Sequence, residues 1–311
     1  MTALSISASA PGKVNLFFAV GALGTDGYHQ VVSIYQALNL REVVSVQFGE
    51  SWQVSVTGSI PVEQLAQVPT NEENLVVRAA KSLLANSAMA ETKAVNFHIV
   101  KNVPVAGGMG GGSADAAAAL LAVKELASMD LSEAELHQIA SELGADVPFS
   151  LLGGTAVGTG HGTALEQIDQ VKQLNWVLVS NPKGLSTPSV YRKLDEIRAS
   201  RNQDPTKVAT PKVPQELISA LQSGDPQMIA KLLHNDLQEA AVALMPELAE
   251  TMNAGIAAGA LAAMVSGSGP TVALLALDKN HADLIATSLL NQGHSALATD
   301  GPAKGTLIEK N

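Results

Sequence analysis

The chain has 311 residues, 46% of them hydrophobic and 15% charged, which predicts a globular protein long enough for two domains. Its formal net charge of -10 argues against nucleic-acid binding and against membrane-surface binding. It contains no cysteine, so disulfides, zinc thiolate sites and cysteine nucleophiles are excluded, and a reducing cytoplasm is the expected location.

The N-terminal part of the chain predicts mostly strands. It shows neither the basic start nor the apolar region of a signal peptide, and no apolar run in the chain is long enough to span a bilayer. Alternating apolar residues in "KVNLFFAVGAL" predict the first strand. "VVSIYQALNL", "EVVSVQF" and "WQVSVTG" predict three further strands with turn residues between them. "NLVVRAAKSLL" predicts a helix capped by Asn71 or Asn74, and "KAVNFHIVKNV" predicts the next strand.

A glycine-rich segment follows that strand directly. Five of the six residues from 107 to 112 are glycine, and an alanine-rich helical pattern begins after them. Glycine costs backbone entropy, so something must approach this backbone closely. The unpaired amides and the dipole at a helix N-terminus bind anions, which favours a phosphate site here. The alternative is a flexible turn capped by Ser113, in which the glycines serve close packing.

Two better-known glycine motifs are not met. "APGKVN" contains Gly-Lys, but it lacks the upstream glycine and the following Ser or Thr of a P-loop. The dinucleotide fingerprint fails because Gly108 and Gly110 are followed by Ser113 where glycine or alanine is required. A hydride-transfer enzyme is therefore a second choice.

The remaining segments combine helices and strands. "DLSEAELHQIASELG" predicts a helix with a capping box at Ser132 and Glu135 and an end at Gly144. "GGTAVGTG" and "NWVLVSNP" predict strands; helices and a loop over 199–214 follow, with three or four helices between residues 214 and 258. "LAAMVSGSGPTVALLAL" predicts a strand, a glycine turn and a strand, and a helix and short strands end the chain. Consecutive strands favour an α+β fold, and we place the domain boundary near residue 170.

Three segments in order carry a family resemblance. "APGKVNLFFAV", "PVAGGMGGGSADAA" and "VSGSGPTVALLA" together resemble the GHMP kinase superfamily, and the resemblance covers nearly the whole chain. It implies a two-domain α+β fold with the active site in the cleft between the domains. Residues 1–170 would form a ribosomal-S5-like, ATP-binding N-terminal domain, and residues 171–311 an α+β C-terminal domain.

Shorter features resemble one branch of that superfamily. "DGYH", "NLVVRAA" and "LGADVPF" are similar to members that phosphorylate the 2-hydroxyl of 4-diphosphocytidyl-2-C-methyl-D-erythritol in the non-mevalonate isoprenoid pathway. The resemblance implies a cytoplasmic, ATP-dependent kinase whose partner is a small molecule with a cytidine diphosphate moiety. The alternatives are a homoserine or mevalonate type of GHMP kinase and a non-catalytic nucleotide-binding protein of the same fold.

The resemblance also implies a catalytic pair, Lys13 and Asp146. Asp146 would accept the proton of the acceptor hydroxyl, and Lys13 would orient Asp146 and stabilise charge on the γ-phosphoryl oxygens. Read without the family, Asp146 is a helix N-cap with Pro148 in the following turn, and Lys13 is a solvated loop charge.

The family resemblance assigns two binding sets. Tyr28 and Tyr191 would stack on a cytosine ring, while His29 would hydrogen-bond the edge of that ring. The substrate-binding residues implied in this way are Asn15, Tyr28, His29, Thr187, Tyr191, Gly267 and Ser268. The cofactor-binding residues implied are Asn74, Pro104, Val105, Ala106, Gly107, Gly108, Met109, Gly110, Gly111, Gly112, Ser113 and Ala114.

The glycine segment departs from the commoner family pattern at two positions. Met109 stands where leucine is usual, which is a nearly isosteric exchange. Ala114 stands where many members have a second serine, so one hydroxyl that could meet phosphate or magnesium is missing. Because the sequence shows no dedicated metal cluster, we predict no protein metal ligands and expect Mg²⁺ to be held mainly by ATP phosphates and water. Among the other histidines, His161 in "GTGHGT" is the one of interest.

Overall fold

The computed structural model describes residues 4–85 and 94–310, in which two β-sheets form the framework. The first sheet has the central order β12-β1-β2-β4-β3, and the second has the order β11-β7-β10-β9. The strands are β1 Ser5–Leu23, β2 His29–Gly49, β3 Gln53–Gly58, β4 Ala94–Lys101, β5 Thr155–Thr159, β6 Ala164–Gln167, β7 Leu174–Ser180, β8 His234–Asn235, β9 Ala262–Val265, β10 Val272–Ala276, β11 Ser295–Gly301 and β12 Leu307–Ile308.

Helices cover these sheets. The helices are α1 Val62–Leu65, α2 Leu75–Leu84, α3 Gly111–Leu126, α4 Glu133–Leu143, α5 Val147–Leu152, α6 Thr187–Ser200, α7 Gln215–Ser223, α8 Pro226–Leu232, α9 Gln238–Leu244, α10 Glu247–Ala257 and α11 Lys279–Asn291. Within the described residues, none of them is long and apolar enough to span a bilayer.

Strands β1 and β2 form a long antiparallel pair that supports the first sheet. β2 is one strand of 21 residues, so the prediction of two strands separated by a turn was wrong in this region. β2 stays paired along its length because its partner β1 is nearly as long. Register shifts in the pairing, one of them between Pro11 and Lys13, accommodate the irregular positions. Lys13 therefore follows a bulge in a buried strand.

The first core lies between this sheet and helices α2, α3 and α4. The alanines from 116 to 119 in α3 are all fully buried, and their short side chains let the helix approach the sheet closely. Two predicted caps are present: the Asn74 side chain accepts a hydrogen bond from the Val76 amide, and Ser132 and Glu135 form a capping box.

The C-terminal half packs α6, α9, α10 and α11 with the second sheet. Four helices, α7 to α10, occupy the region in which three or four were expected. The segment 199–214 contains the end of α6 and a short 3₁₀-helix, Pro205–Lys207. The boundary near residue 170 falls between β6 and β7, but β8 and β12 pair with β1 of the first sheet. That boundary stays a prediction.

Candidate active site

An open cleft of about 400 Å³ collects the main predicted residues. Lys13 and Asp146 line it together with the glycine segment, and the C-terminal half contributes Thr187, Tyr191 and the turn that contains Gly267. Residues separated by more than 250 positions in the sequence therefore meet at one surface. The resemblance predicted this meeting, whereas composition and periodicity did not.

Lys13 is buried, and neighbouring polar groups hold its ammonium group in one orientation. Its ammonium group donates to Asn15 Oδ1 at 2.8 Å and to the Gly108 carbonyl at 2.9 Å, and it lies 3.4 Å from Asp146 Oδ2. The residue is 4% exposed, so it is not a solvated loop charge. These two hydrogen bonds and the ion pair direct the ammonium toward the glycine segment and Asp146.

Asp146 stands at the start of α5, yet its side chain makes no capping hydrogen bond. The helix-cap interpretation therefore does not describe what this carboxylate does. Instead, Oδ2 faces Lys13 while 27% of the side chain stays exposed in the cleft. A carboxylate with a lysine on one side and open space on the other is placed to accept a proton from a bound hydroxyl.

Asn15 fixes the orientation of Lys13. Its amide nitrogen donates to Ser33 Oγ at 2.8 Å, and Ser33 in turn donates to the Phe17 carbonyl at 3.0 Å. Its amide oxygen consequently faces the lysine. Both polar ends of the buried Asn15 side chain are thus engaged with protein partners, which makes it a support for Lys13 in this arrangement.

Part of the glycine segment is needed for packing against protein. Gly108 has φ +72°, and a Cβ at this position would lie 2.2 Å from the Ser266 carbonyl oxygen. The Gly107 carbonyl accepts from the Thr271 amide at 3.2 Å, and the Met109 carbonyl accepts from the Lys13 amide at 3.0 Å. These glycines let the segment contact the turn between β9 and β10.

The rest of the segment leaves backbone amides free at the start of a helix. The amides of Gly111, Gly112 and Ser113 open helix α3 and have no acceptor within the described residues. A Cβ on Gly112 would meet only Leu75, at 3.6 Å, so this part of the backbone faces open space. Free amides at the N-terminus of a 16-residue helix fit a polyphosphate.

A second cavity, of about 260 Å³, adjoins the segment at Ala106 and Gly112. Asn74 and Val105, which the resemblance assigns to the nucleotide, line it. The Asn74 side chain is engaged with the protein: its oxygen caps α2, and its nitrogen donates to the Pro69 carbonyl at 2.6 Å. Asn74 therefore shapes this cavity with its side-chain polar atoms already paired.

A buried ionic cluster, which sequence analysis missed, lies at the same cavity. Lys101 donates to Glu42 at 2.5 Å and to Asp115 Oδ2 at 2.7 Å, and all three side chains are almost fully buried. Burial, with the nearby charge of Asp115, raises the pKa of Glu42 to about 8. Burial also raises the pKa of Asp115, against the opposing effect of Lys101. The three residues come from β2, β4 and α3, so no local sequence motif could have predicted the cluster.

Helix α6 contributes Thr187 and Tyr191 to the cleft. The Thr187 hydroxyl lies 2.7 Å from the Ser268 hydroxyl, which joins α6 to the turn after β9. Tyr191 stacks on His29 with ring centroids 5.3 Å apart. Burial and the nearby charge of Asp146 raise the pKa of the Tyr191 phenol above its ordinary value. Its phenol therefore stays neutral.

Tyr28 and His29 differ in their availability. Tyr28 is exposed and its ring lies 5.6 Å from that of His161, which lines the cleft although Tyr28 itself does not. His29 is buried, and its ring nitrogens lie 3.1 Å from the Gly21 carbonyl and 3.2 Å from Asp195 Oδ2. The structure thus leaves Tyr28 free to stack on a ligand, whereas both nitrogens of His29 face protein acceptors.

Two further supporting residues carry no recognisable sequence signal. Tyr35 lies 5.8 Å from the Lys13 ammonium, and burial together with Asp146 raises the pKa of its phenol well above the ordinary value. Asn235 donates at 2.7 Å to the carbonyls of both Val265 and Gly267, so it holds the turn after β9 in place. Neither spacing nor hydrophobic pattern distinguishes these residues, because each acts through a partner distant in sequence.

Family models match both halves of the chain. "GHMP kinases N terminal domain" matches residues 74–154, and "GHMP kinases C terminal" matches residues 217–295. The chain belongs to the GHMP kinase family. The resemblance inferred from the three ordered motifs is confirmed, and so is the two-domain α+β fold.

Similar proteins give the same result over the full length. The chain is 47% identical to the 4-diphosphocytidyl-2-C-methyl-D-erythritol kinase of Paenarthrobacter aurescens (strain TC1), over 98% of this chain and 96% of that protein. It is 46% identical to the protein of that name from Rhodococcus jostii (strain RHA1), over 96% and 93%. The expectation of a kinase is thereby confirmed.

Solved structures support the fold. A crystal structure of 4-(cytidine 5'-diphospho)-2C-methyl-D-erythritol kinase matches with a TM-score of 0.74 and 30% identity, covering 96% of this chain and all of the other. Mevalonate kinase of L. major matches with a TM-score of 0.72 at 18% identity, covering 96% of each chain. At that identity the second likeness concerns the fold alone.

Proposed function

We propose that this GHMP kinase transfers the γ-phosphoryl group of ATP to the 2-hydroxyl of 4-diphosphocytidyl-2-C-methyl-D-erythritol, a step in isoprenoid precursor synthesis. The observation that carries the chemistry is the Lys13–Asp146 pair, which lies in one cleft with the free amides of helix α3. We also propose a cytoplasmic location for the protein, because its proposed reaction consumes ATP.

The choice of acceptor is supported by relatives. Proteins named for this acceptor match at 41% to 47% identity over nearly the whole chain. Solved structures of homoserine and mevalonate kinases match at 12% to 21% identity, a likeness that concerns the fold alone. The complete Lys13–Asp146 pair favours an active kinase over a non-catalytic nucleotide-binding protein.

The residues present fit ATP. The amides of Gly111, Gly112 and Ser113 would hold its phosphates, and the cavity beside Asn74 and Val105 would receive its base. Among residues 4–85 and 94–310, no group of three His, Cys, Asp or Glu side chains is placed to hold a metal ion. We propose that Mg²⁺ is bound mainly through ATP phosphates and water, where it would neutralise phosphate charge.

Asp146 would act as the proton acceptor. Its carboxylate takes the proton of the 2-hydroxyl while that oxygen forms its bond to phosphorus and the bond to ADP breaks. Lys13, held by Asn15 and the Gly108 carbonyl, would orient Asp146 and stabilise the charge that develops on the transferred phosphoryl oxygens. ATP supplies the phosphoryl group, and the protein supplies position and charge.

The acceptor would lie between the two halves of the chain. Tyr28, which is exposed, and Tyr191, which lines the cleft and stacks on His29, would stack on the cytosine ring, and Thr187 with Ser268 would contact the polar part of the acceptor. His29, engaged with Asp195, either hydrogen-bonds the base after a change of partner or supports Tyr191 by stacking.

An acceptor panel tests this proposal. ATP consumption is measured with the cytidine diphosphate compound, homoserine, mevalonate or no acceptor, and the Asp146→Asn variant serves as the background control. We expect turnover with the cytidine diphosphate compound alone. Turnover with another acceptor would preserve the catalytic pair but contradict the acceptor assignment. ATP binding without turnover on any acceptor would favour the non-catalytic alternative.

A further inference from the structure

The amides that we propose for the ATP phosphates lie close to the buried cluster of Glu42, Lys101 and Asp115. A Cβ on Gly111 would come within 3.1 Å of Glu42 Oε1, so this carboxylate packs against the first turn of α3. Asp115 follows Gly111 by about one helical turn, and Lys101 donates to both carboxylates. The catalytic mechanism uses none of these three charges.

The charges of this cluster do not balance. Two carboxylates share one ammonium group, and all three side chains are almost fully buried. With both carboxylates ionised, the cluster would hold one net negative charge in a low-dielectric interior, which is costly. The same charge would also repel a polyphosphate at the start of α3. One proton on the carboxylate pair removes both penalties, because it makes the cluster neutral.

Within the described residues, Lys101 is the one cation that contacts either carboxylate. Lys101 from β4 and Asp115 from α3 are the charged groups that face Glu42, and β1 places the apolar Ala10 opposite it. The other cations of the surrounding elements are exposed or engaged elsewhere: Lys13 contacts Asp146, Arg41 donates to the carbonyls of Ser9 and Gly305, and Arg78 and Lys81 of α2 are exposed. A proton is therefore the remaining way to neutralise the pair.

We propose that Glu42 and Asp115 form a proton-linked switch for nucleotide binding. A polyphosphate at the start of α3 binds more tightly when the pair holds one proton than when both carboxylates are ionised. This inference rests on the proposed function, since it takes ATP as the ligand of the α3 amides. It adds a pH dependence of nucleotide affinity that comes from residues with no part in phosphoryl transfer.

The pKa directions agree with this switch. Burial, with the nearby charge of Asp115, raises the pKa of Glu42 to about 8, and burial raises the pKa of Asp115. Burial lowers the pKa of Lys101, but the two carboxylates outweigh that effect and raise it. The pair therefore exchanges its proton at about pH 8 while Lys101 stays charged. Because the cluster becomes negative as the pH rises through this value, nucleotide affinity should fall in the same range.

Proton uptake on binding is the direct measurement. ATP with Mg²⁺ is titrated into the wild-type chain at pH 8 without acceptor, by calorimetry in two buffers that differ in ionisation enthalpy. Bound phosphates raise the proton affinity of the pair, so we expect about 0.3–0.5 of a proton to be taken up per ATP bound. Binding without uptake, or with release of protons, would overturn the proposal.

The dissociation constant for ATP gives the second measurement. Between pH 7 and pH 9.5 it should rise by about tenfold in the wild type, since one buried charge appears close to the phosphates. The phosphates of ATP add little to this change, because the last pKa of a phosphate group is about 6. A dissociation constant that stays the same over this range would overturn the switch.

Two variants assign the proton to the pair. Glu42→Gln leaves Asp115 balanced by Lys101, so both the proton uptake and the tenfold rise should disappear. Asp115→Asn should behave in the same way, because it leaves Glu42 balanced instead. Either variant is sufficient if the other does not fold, and the wild-type measurements require neither. Uptake that persists in a folded Glu42→Gln or Asp115→Asn would overturn the assignment.

Glu239→Gln is the matched control, because Glu239 makes an exposed ion pair with Arg201 in the C-terminal half. It should keep both the proton uptake and the pH dependence of the wild type, and their loss in this variant would contradict the assignment to the buried pair. A wild-type chain that binds no ATP at any pH would overturn the proposed function, and this inference with it. ATP binding without proton linkage would overturn the switch alone.

Discussion

Two lysines in this molecule face carboxylates in very different surroundings. Lys101 contacts Glu42 at 2.5 Å and Asp115 at 2.7 Å inside the protein, where no side chain of the cluster is appreciably exposed. Lys13 lies 3.4 Å from Asp146, whose side chain is 27% exposed in the cleft. The ion pairs of the buried cluster have short distances and no access to solvent, whereas the pair in the cleft has a longer distance and faces open space on one side.

The difference shows how the same residue types serve different purposes. A buried ion pair depends on complete pairing, because each uncompensated charge in a low-dielectric interior is expensive. A catalytic pair needs an incomplete contact, so that Asp146 can accept a proton from a ligand and Lys13 can meet new negative charge. Activity should therefore depend most on the open pair, and stability on the closed cluster.

The largest effect is expected from Asp146→Asn. The amide retains the shape of the side chain but cannot accept a proton, so kcat should fall by about 10²- to 10⁴-fold. Steady-state kinetics with the cytidine diphosphate acceptor measure this fall, and thermal denaturation checks that the melting temperature is retained. A variant with full turnover would rule out Asp146 as the proton acceptor.

The next effect is expected from Lys101→Met. The change leaves Glu42 and Asp115 buried together without their cation, so the free energy of unfolding should fall by about 3–5 kcal/mol. Denaturant titration measures this loss. Lys279→Met is the control, because Lys279 makes an exposed pair with Asp283, and its removal should leave stability close to that of the wild type. Equal losses of unfolding free energy in both variants would contradict the view that the buried cluster stabilises the fold more than an exposed ion pair does.

A pH dependence of stability is also expected, and over the whole range it is of the same order as the loss in Lys101→Met. The pKa of Glu42 is about 8 in the folded chain, above its ordinary value of 4.5, so the folded state retains a proton that the unfolded state releases between these values. Stability from this group is fully present below pH 4.5 and is lost as the pH rises toward 8, with a slope of up to about 1.4 kcal/mol per pH unit.

Glu42→Gln isolates that slope, because glutamine does not titrate. Urea denaturation of both proteins between pH 5 and pH 8 should show the stability of the variant rising relative to the wild type as the pH increases. A difference that is constant across this range would mean that Glu42 does not carry the proton.

Local sequence patterns predicted much of the fold. The period of apolar residues, the capping residues Asn74, Ser132 and Glu135, and the glycines before α3 each act over a few neighbouring positions. The prediction of a turn within β2 was wrong, because residues that resemble a turn are held in a ladder by the long partner strand β1. Pairing between distant segments outweighed local preference.

The candidate site was predicted only where a motif carried it. The ordered motifs of the family resemblance pointed to Lys13, Asp146 and the glycine segment, and the structure places them in one cleft. Asp195 behind His29 and Asn235 behind Gly267 were missed, because a supporting side chain needs only the right distance to its partner.

Short-range periodicity, capping and backbone freedom were enough to predict most helices and strands and the glycine-rich start of α3, and three ordered motifs were enough to predict the family. The tertiary structure determines which charged side chains are buried with their partners and which face the cleft. The Gly108 carbonyl and Asn15 direct Lys13 toward Asp146, while Glu42 and Asp115 enclose Lys101. Electrostatic character depends on burial and on partners distant in the chain, and these exist only after folding.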